Sequence, residues 1–150
     1  MGIIIDSVRI KNFRSLQNIE VQLKPITLLV GANNAGKTSF LRALSLALHA
    51  DRRSVTQDDL FIDAQGVMCA DKMISIDIKF IPSDNEKKFD EEWSAKFGNG
   101  IQNDNVTGDE FYAYRTLIDF SLNNQEAYPP LKGNNHVHPG KNPGKLFFRH

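Results

Sequence analysis

A single cysteine, Cys69, stands in 150 residues. It excludes an internal disulfide and a cysteine-based metal cluster, and it suits a reducing, cytoplasmic setting. Net charge is missing as well. Eighteen Lys and Arg balance 18 Asp and Glu, so the chain has no global attraction for nucleic acid and any such contact must be local. Long apolar runs are also lacking. Ile3-Ile4-Ile5 has no basic stretch before it and is broken by Asp6 and Arg9, so neither a secretory signal nor a membrane span is expected, and no membrane partner. Internal repeats and heptads are absent, which leaves no coiled-coil arm. Proline is scarce until Tyr128. Four of the six prolines, Pro129, Pro130, Pro139 and Pro143, follow it together with Gly133, Gly140 and Gly144. Residues 1–128 therefore form the expected domain and 129–150 an irregular tail. His136 and His138 lie in that tail without an accompanying carboxylate cluster or cysteine at ligand spacing, so solvated histidines are expected there and no metal site.

What is present centres on Gly31-Ala32-Asn33-Asn34-Ala35-Gly36-Lys37-Thr38, which fits G-x-x-x-x-G-K-[ST] at every fixed position. Its context fits as well. Ile26-Thr27-Leu28-Leu29-Val30 precedes it as a near-continuous apolar run, expected to be a strand covered on both faces. Phe40, Leu41, Leu44, Ala47 and Leu48 follow at helical spacing, predicting a helix from Thr38 to Ala50. Gly31 and Gly36 let the backbone turn tightly and approach an anion, so that successive N–H groups face phosphate oxygens. Lys37 brings a positive charge to the β- and γ-phosphates. Thr38 offers the hydroxyl that ligates Mg²⁺, and the helix start adds its N–H groups and dipole.

Before the loop, Val8 and Ile10 alternate with Arg9 and Lys11, and Ile19, Val21 and Leu23 with Glu20, Gln22 and Lys24. Two half-exposed strands joined by a short turn at Arg14-Ser15 are expected. After the helix, Thr56 to Phe61 reads as a loop with a short helical turn. Ile74, Ile76, Ile78 and Phe80 predict a strand over 73–80. Phe89, Trp93 and Phe97 predict an amphipathic helix over 86–97, whose aromatic stripe favours core packing over base stacking. Residues 98–108 read as loop, Phe111 to Phe120 as a strand and Ser121 to Glu126 as a polar turn.

The run Val8-Arg9-Ile10-Lys11-Asn12-Phe13-Arg14-Ser15-Leu16, a second strand, and then Ile26 through Leu44 resembles the N-terminal lobe of the ABC-type ATPases of DNA metabolism. These are the RecF and SMC-like proteins and, most of all, the OLD (overcoming lysogenization defect) family of ATPase-nucleases. The likeness is specific over about the first 45 residues and loose beyond them. It implies an α/β P-loop NTPase fold, an ABC-ATPase-like lobe with a mixed sheet around the P-loop helix. It further implies ATP and Mg²⁺ as ligands, a second ATPase lobe or another copy of the chain as partner, and DNA as the target in phage defence or repair. By position, Gly31, Asn33, Asn34, Ala35, Gly36, Lys37, Thr38 and Ser39 would bind the nucleotide, Thr38 its metal, and Arg14 would reach it from the first hairpin.

Other family features are missing from the sequence. After the P-loop there is no run of four apolar residues ending in Asp-Glu, no Ser-Gly-Gly signature and no set of nuclease acids, and Asp109-Glu110 precedes a strand and does not end one. The chain is thus expected to be the N-terminal piece of such an ATPase, binding ATP–Mg²⁺ but turning it over poorly, since hydrolysis needs a positioned water besides phosphate contacts. A stand-alone nucleotide sensor and a small P-loop kinase remain as alternative readings.

Overall fold

In the computed structural model, residues 2–48, 55–83 and 86–120 are described. The expected turn over 121–126 and the irregular tail over 129–150, with its two histidines, lie outside them.

Alternation of apolar and charged residues produces two long strands joined by a tight hairpin. Strand β1 runs Ile3–Phe13 and β2 Leu16–Gln22, paired antiparallel with Val8 opposite Val21 and Ile10 opposite Ile19. The helix α1, Lys37–Ala47, follows the P-loop, and a short 3-10 turn covers Gln57–Asp59. Strand β3 runs Met73–Pro82. A two-turn helix α2, Glu91–Phe97, leads into β4, Ile101–Asn103, and β5 runs Glu110–Asp119. The five strands form one sheet in the order β2-β1-β3-β5-β4. All of its pairings are antiparallel, so the parallel pairing of a mixed sheet does not occur among the described residues.

Strand periodicity divides the sheet into two unlike faces. Val8, Ile10, Ile74, Ile76 and Ile78 are fully buried on one of them. Phe40, Ala43 and Ala47, spaced three and four apart on α1, pack there, and Leu60 from the 3-10 turn joins the same core. The other face is polar: Arg9, Lys11, Asn18, Glu20, Ser75, Asp77 and Arg115 line a shallow open cleft. Its centre is a two-pronged ion pair, Arg115 Nε to Asp77 Oδ1 at 2.6 Å and Nη2 to Oδ2 at 2.9 Å. Asp77 is buried, and its hydrogen bond, opposed by burial, raises the Arg115 pKa further.

The aromatic stripe forms a cluster of its own beside the core, with Phe89 buried and Trp93 and Phe97 half-buried, and it is not one continuous helix. Asp90 caps α2 by accepting from the Trp93 N–H at 2.9 Å, so the helix begins at Glu91 and Phe89 reaches the cluster from the preceding loop. Phe97 stacks on Tyr112 with ring centroids 4.1 Å apart and meets Phe89 edge-on at 5.1 Å. Burial, helped by the neighbouring Tyr114, pushes the Tyr112 hydroxyl pKa up.

A further expectation fails. Ile26 to Val30 is not a strand covered on both faces: it is unpaired, with Ile26 93%, Leu28 84% and Val30 81% exposed. Only Leu29 packs against the core. The apolar run is that of a buried strand, but among the described residues no second strand lies beside it, and backbone pairing needs two partners.

Candidate phosphate-binding cleft

The P-loop is built from its own backbone chemistry. An Ala35 N–H to Ala32 carbonyl bond of 3.1 Å closes the first turn, and Asn34 takes a left-handed φ of 72°, which asparagine tolerates better than most residues. Gly36 is also left-handed, at φ 87°. A Cβ on it would lie 2.8 Å from Leu16 Cδ2 and 3.4 Å from Ser15 Oγ. Glycine is therefore required twice over, for conformation and for the close approach of the β1–β2 hairpin.

Gly36 is also the residue at which α1 starts, and no side chain caps that start. The first intrahelical bond is donated by Phe40 to the Gly36 carbonyl, at 2.8 Å. The N–H groups of Lys37, Thr38 and Ser39 thus have no acceptor within the helix, and no acidic residue occupies the first turn. Such a helix start attracts an anion. Lys37 Nζ donates to the carbonyls of Gly31 and Ala32, so its charge rests on the loop itself.

The hairpin turn closes onto this helix start. Ser15 Oγ lies 3.0 Å from Ser39 Oγ. Arg14, Ser15, Asn34, Thr38, Ser39, Asp58 and Asp59 line one open cleft of about 630 Å³, a volume within the range of small-molecule sites. Four of the nucleotide-binding residues expected from sequence, Arg14, Asn34, Thr38 and Ser39, thereby come together on one surface. Gly31, Asn33, Ala35, Gly36 and Lys37 shape the loop beside it and are not among the lining residues. A glycine without room for a Cβ, a helix start with unused donors, a lysine and a threonine hydroxyl fit a phosphate chain with its divalent cation.

Ser15, Asp58 and Asp59 are the lining residues that sequence reasoning does not assign to the site. Arg14 Nε donates to Asp59 Oδ1 at 2.8 Å across 45 positions of sequence. The only local sign of this was the capping character of Thr56 to Asp59, where Asp59 Oδ2 accepts from the Thr56 N–H at 3.1 Å. Elsewhere, no group of three or more His, Cys, Asp or Glu able to hold a metal occurs among the described residues. No described helix is long and apolar enough to cross a membrane.

Comparison with known proteins places the chain in a family. Residues 3–137 match the family model of the AAA ATPase domain. Over 41 residues the chain is 51% identical to the OLD nuclease of Thermus scotoductus, a stretch covering 27% of this chain and 8% of that protein. Over 61 residues it is 38% identical to the Old nuclease of Escherichia phage P2, covering 41% of this chain and 10% of that one. The matched stretches thus span about a tenth or less of these relatives. In structure it resembles a solved chain from work on the ATP-driven dimerization and DNA-stimulated activation of SMC ATPases. The TM-score is 0.51 at 22% identity, over 77% of this chain and 63% of the other, a likeness of fold alone. The chain belongs to the AAA ATPase domain family, with a P-loop NTPase-like α/β fold, and is similar over short stretches to the OLD nucleases and in fold to an SMC ATPase.

Proposed function

We propose that this chain is the ATP–Mg²⁺-binding lobe of an OLD-like ATPase that acts on DNA, in phage defence or repair, and that it works paired with a second ATPase lobe. The observation that carries the reading is the convergence of the hairpin residue Arg14 with Asn34, Thr38 and Ser39 on one cleft beside the P-loop. The loop from Gly31 to Ser39 would hold the phosphates through backbone N–H groups, with Lys37 turned from the loop carbonyls toward the β- and γ-phosphates. Thr38 would carry Mg²⁺, and the ion would neutralise charge on the phosphates. Arg14 would add a charged donor from the hairpin side.

Two further features support a composite site. The exposed apolar edge of Ile26, Leu28 and Val30 leads directly into the loop, and Leu41 and Leu48 of the following segment are also exposed, as suits a lobe that docks on more polypeptide. The SMC chain of like fold comes from work on ATP-driven dimerization and DNA stimulation, which is the behaviour proposed for the complete ATPase.

Titration of the chain with a fluorescent ATP analogue and Mg²⁺ tests the core of this reading. Wild type should bind, and Lys37→Ala should weaken binding about tenfold or more, the loss expected for a charge-assisted contact worth about 1.5–3 kcal/mol. Equal affinity of the two proteins would reject it. Turnover by the isolated chain should be near background, because the residues that position a hydrolytic water are not in its sequence.

A further inference from the structure

We propose that Asp59 is the positioning residue for Arg14, holding its guanidinium at the phosphate-binding cleft. The inference rests on the reading of that cleft as a nucleotide site and deepens it.

Asp59 grips Arg14 at both ends. Its carbonyl accepts the Arg14 backbone N–H at 2.7 Å, and its Oδ1 accepts Nε at 2.8 Å. Arg14 has a left-handed φ of 52°, a conformation that costs an L-residue free energy and persists only where surroundings fix it. The neighbouring backbone does so here. Phe13 bridges to Leu60, and the Phe61 N–H donates to the Asn12 carbonyl at 3.2 Å, so the segment around Asp59 is stitched onto the end of β1. Leu60 is buried in the core, which makes the mount rigid.

Both carboxylate oxygens are engaged, since Oδ2 takes the Thr56 N–H. It therefore has a fixed orientation and fixes Arg14 in turn. A guanidinium has five N–H donors in one plane. With Nε committed to Asp59, the four N–H groups of the two terminal nitrogens remain for an anion, and their plane is set by the Asp59 bond. The guanidinium carbon also sits 5.6 Å from the Phe13 ring centroid, a second constraint on the same plane. A free arginine would lose its rotamer freedom on meeting phosphate. Here that ordering is complete beforehand, so the contribution of Arg14 to binding should depend on Asp59.

The test is a double-mutant cycle with a non-hydrolysable ATP analogue and Mg²⁺ on the full chain, using wild type, Arg14→Ala, Asp59→Asn and the double variant. Asp59→Asn keeps an acceptor for the Thr56 N–H, which protects the turn. Arg14→Ala is expected to weaken binding about tenfold in wild type and less than about threefold in the Asp59→Asn background, because the arginine there is no longer held in place. The cycle decides between this and simple repulsion of the nucleotide by Asp59. Repulsion alone would raise affinity in Asp59→Asn while leaving the Arg14→Ala loss unchanged, and that equality would overturn the proposal. A ligand-free reading accompanies it: the Arg14 Nε–H resonance should be slowly exchanging in wild type and lost to exchange in Asp59→Asn, and identical behaviour would also overturn it. No binding by wild type overturns both this proposal and the nucleotide reading. Binding that is lost in Lys37→Ala, with equal Arg14→Ala losses in both backgrounds, overturns this one alone.

Discussion

Gly36→Ala should be among the most damaging single substitutions at the cleft, and its cost separates into two parts. The first is conformational. At φ 87° an alanine sits in the left-handed region, at about 1–2 kcal/mol. The second is steric. The new Cβ would lie 2.8 Å from Leu16 Cδ2, and Leu16 is itself a buried core residue, so it can yield only by pressing on packed neighbours, at about 1–3 kcal/mol. Together they predict a loss of about 2–5 kcal/mol, a large share of the roughly 5–15 kcal/mol that stabilises a typical domain. Gly66→Ala supplies the control. Its φ is 78°, and a Cβ there meets nothing within 4 Å, so it carries the conformational part alone, and the restriction of the unfolded chain is common to both alanines. Urea unfolding of wild type and both variants measures the difference directly, with an unchanged m-value required for the comparison. Gly36→Ala should be the worse by about 1–3 kcal/mol. Equal losses would refute the claim that the hairpin presses on the P-loop at this point, and with it the mechanical link between Arg14 and the helix start.

The ion pair on the polar sheet face gives a second prediction. Arg115→Met leaves the Asp77 carboxylate, only 2% exposed, without its guanidinium, and such truncations cost about 3–5 kcal/mol in closed interiors. Arg115 is 47% exposed, so water reaches the pair and the loss should fall nearer about 2 kcal/mol. Adding Asp77→Leu should recover most of it, and chemical denaturation that shows no recovery would refute the assignment. Tyr112 provides a pH dependence. Burial raises its folded-state value above the ordinary 10.0, so the unfolded chain releases the proton first. Its stabilising contribution is whole below pH 10.0 and is lost as pH rises through the folded value. Unfolding free energies measured from pH 8 to 11 should fall less steeply for Tyr112→Phe than for wild type, and identical slopes would count against it.

The legibility of this molecule follows the range of the interactions involved. The P-loop is readable because phosphate chemistry demands fixed residue types at fixed local spacing, and Gly31, Gly36, Lys37 and Thr38 supply them within eight positions. Strands β1, β2 and β3 are readable because a sheet with one buried face writes its period of two into the chain, and β5 because its aromatic and β-branched residues favour a strand. Strand β4 is not, since three residues, Ile101 to Asn103, owe their strand character to pairing with β5 and have too little length to show a period. The Arg14–Asp59 contact spans 45 positions and leaves no periodic trace at all. Ile26 to Val30 marks the limit from the other side. Its side chains state that a face is to be covered, and each of the three exposed ones would contribute about 1.5–3 kcal/mol if fully buried. That is enough to predict burial from sequence, yet burial is a property of two surfaces, and a segment's own residues encode only one of them. The expectation failed at the point where the second surface is not among the described residues, while the residues it introduces, Gly31 to Thr38, were read correctly as a loop and helix start because the local geometry they need is their own.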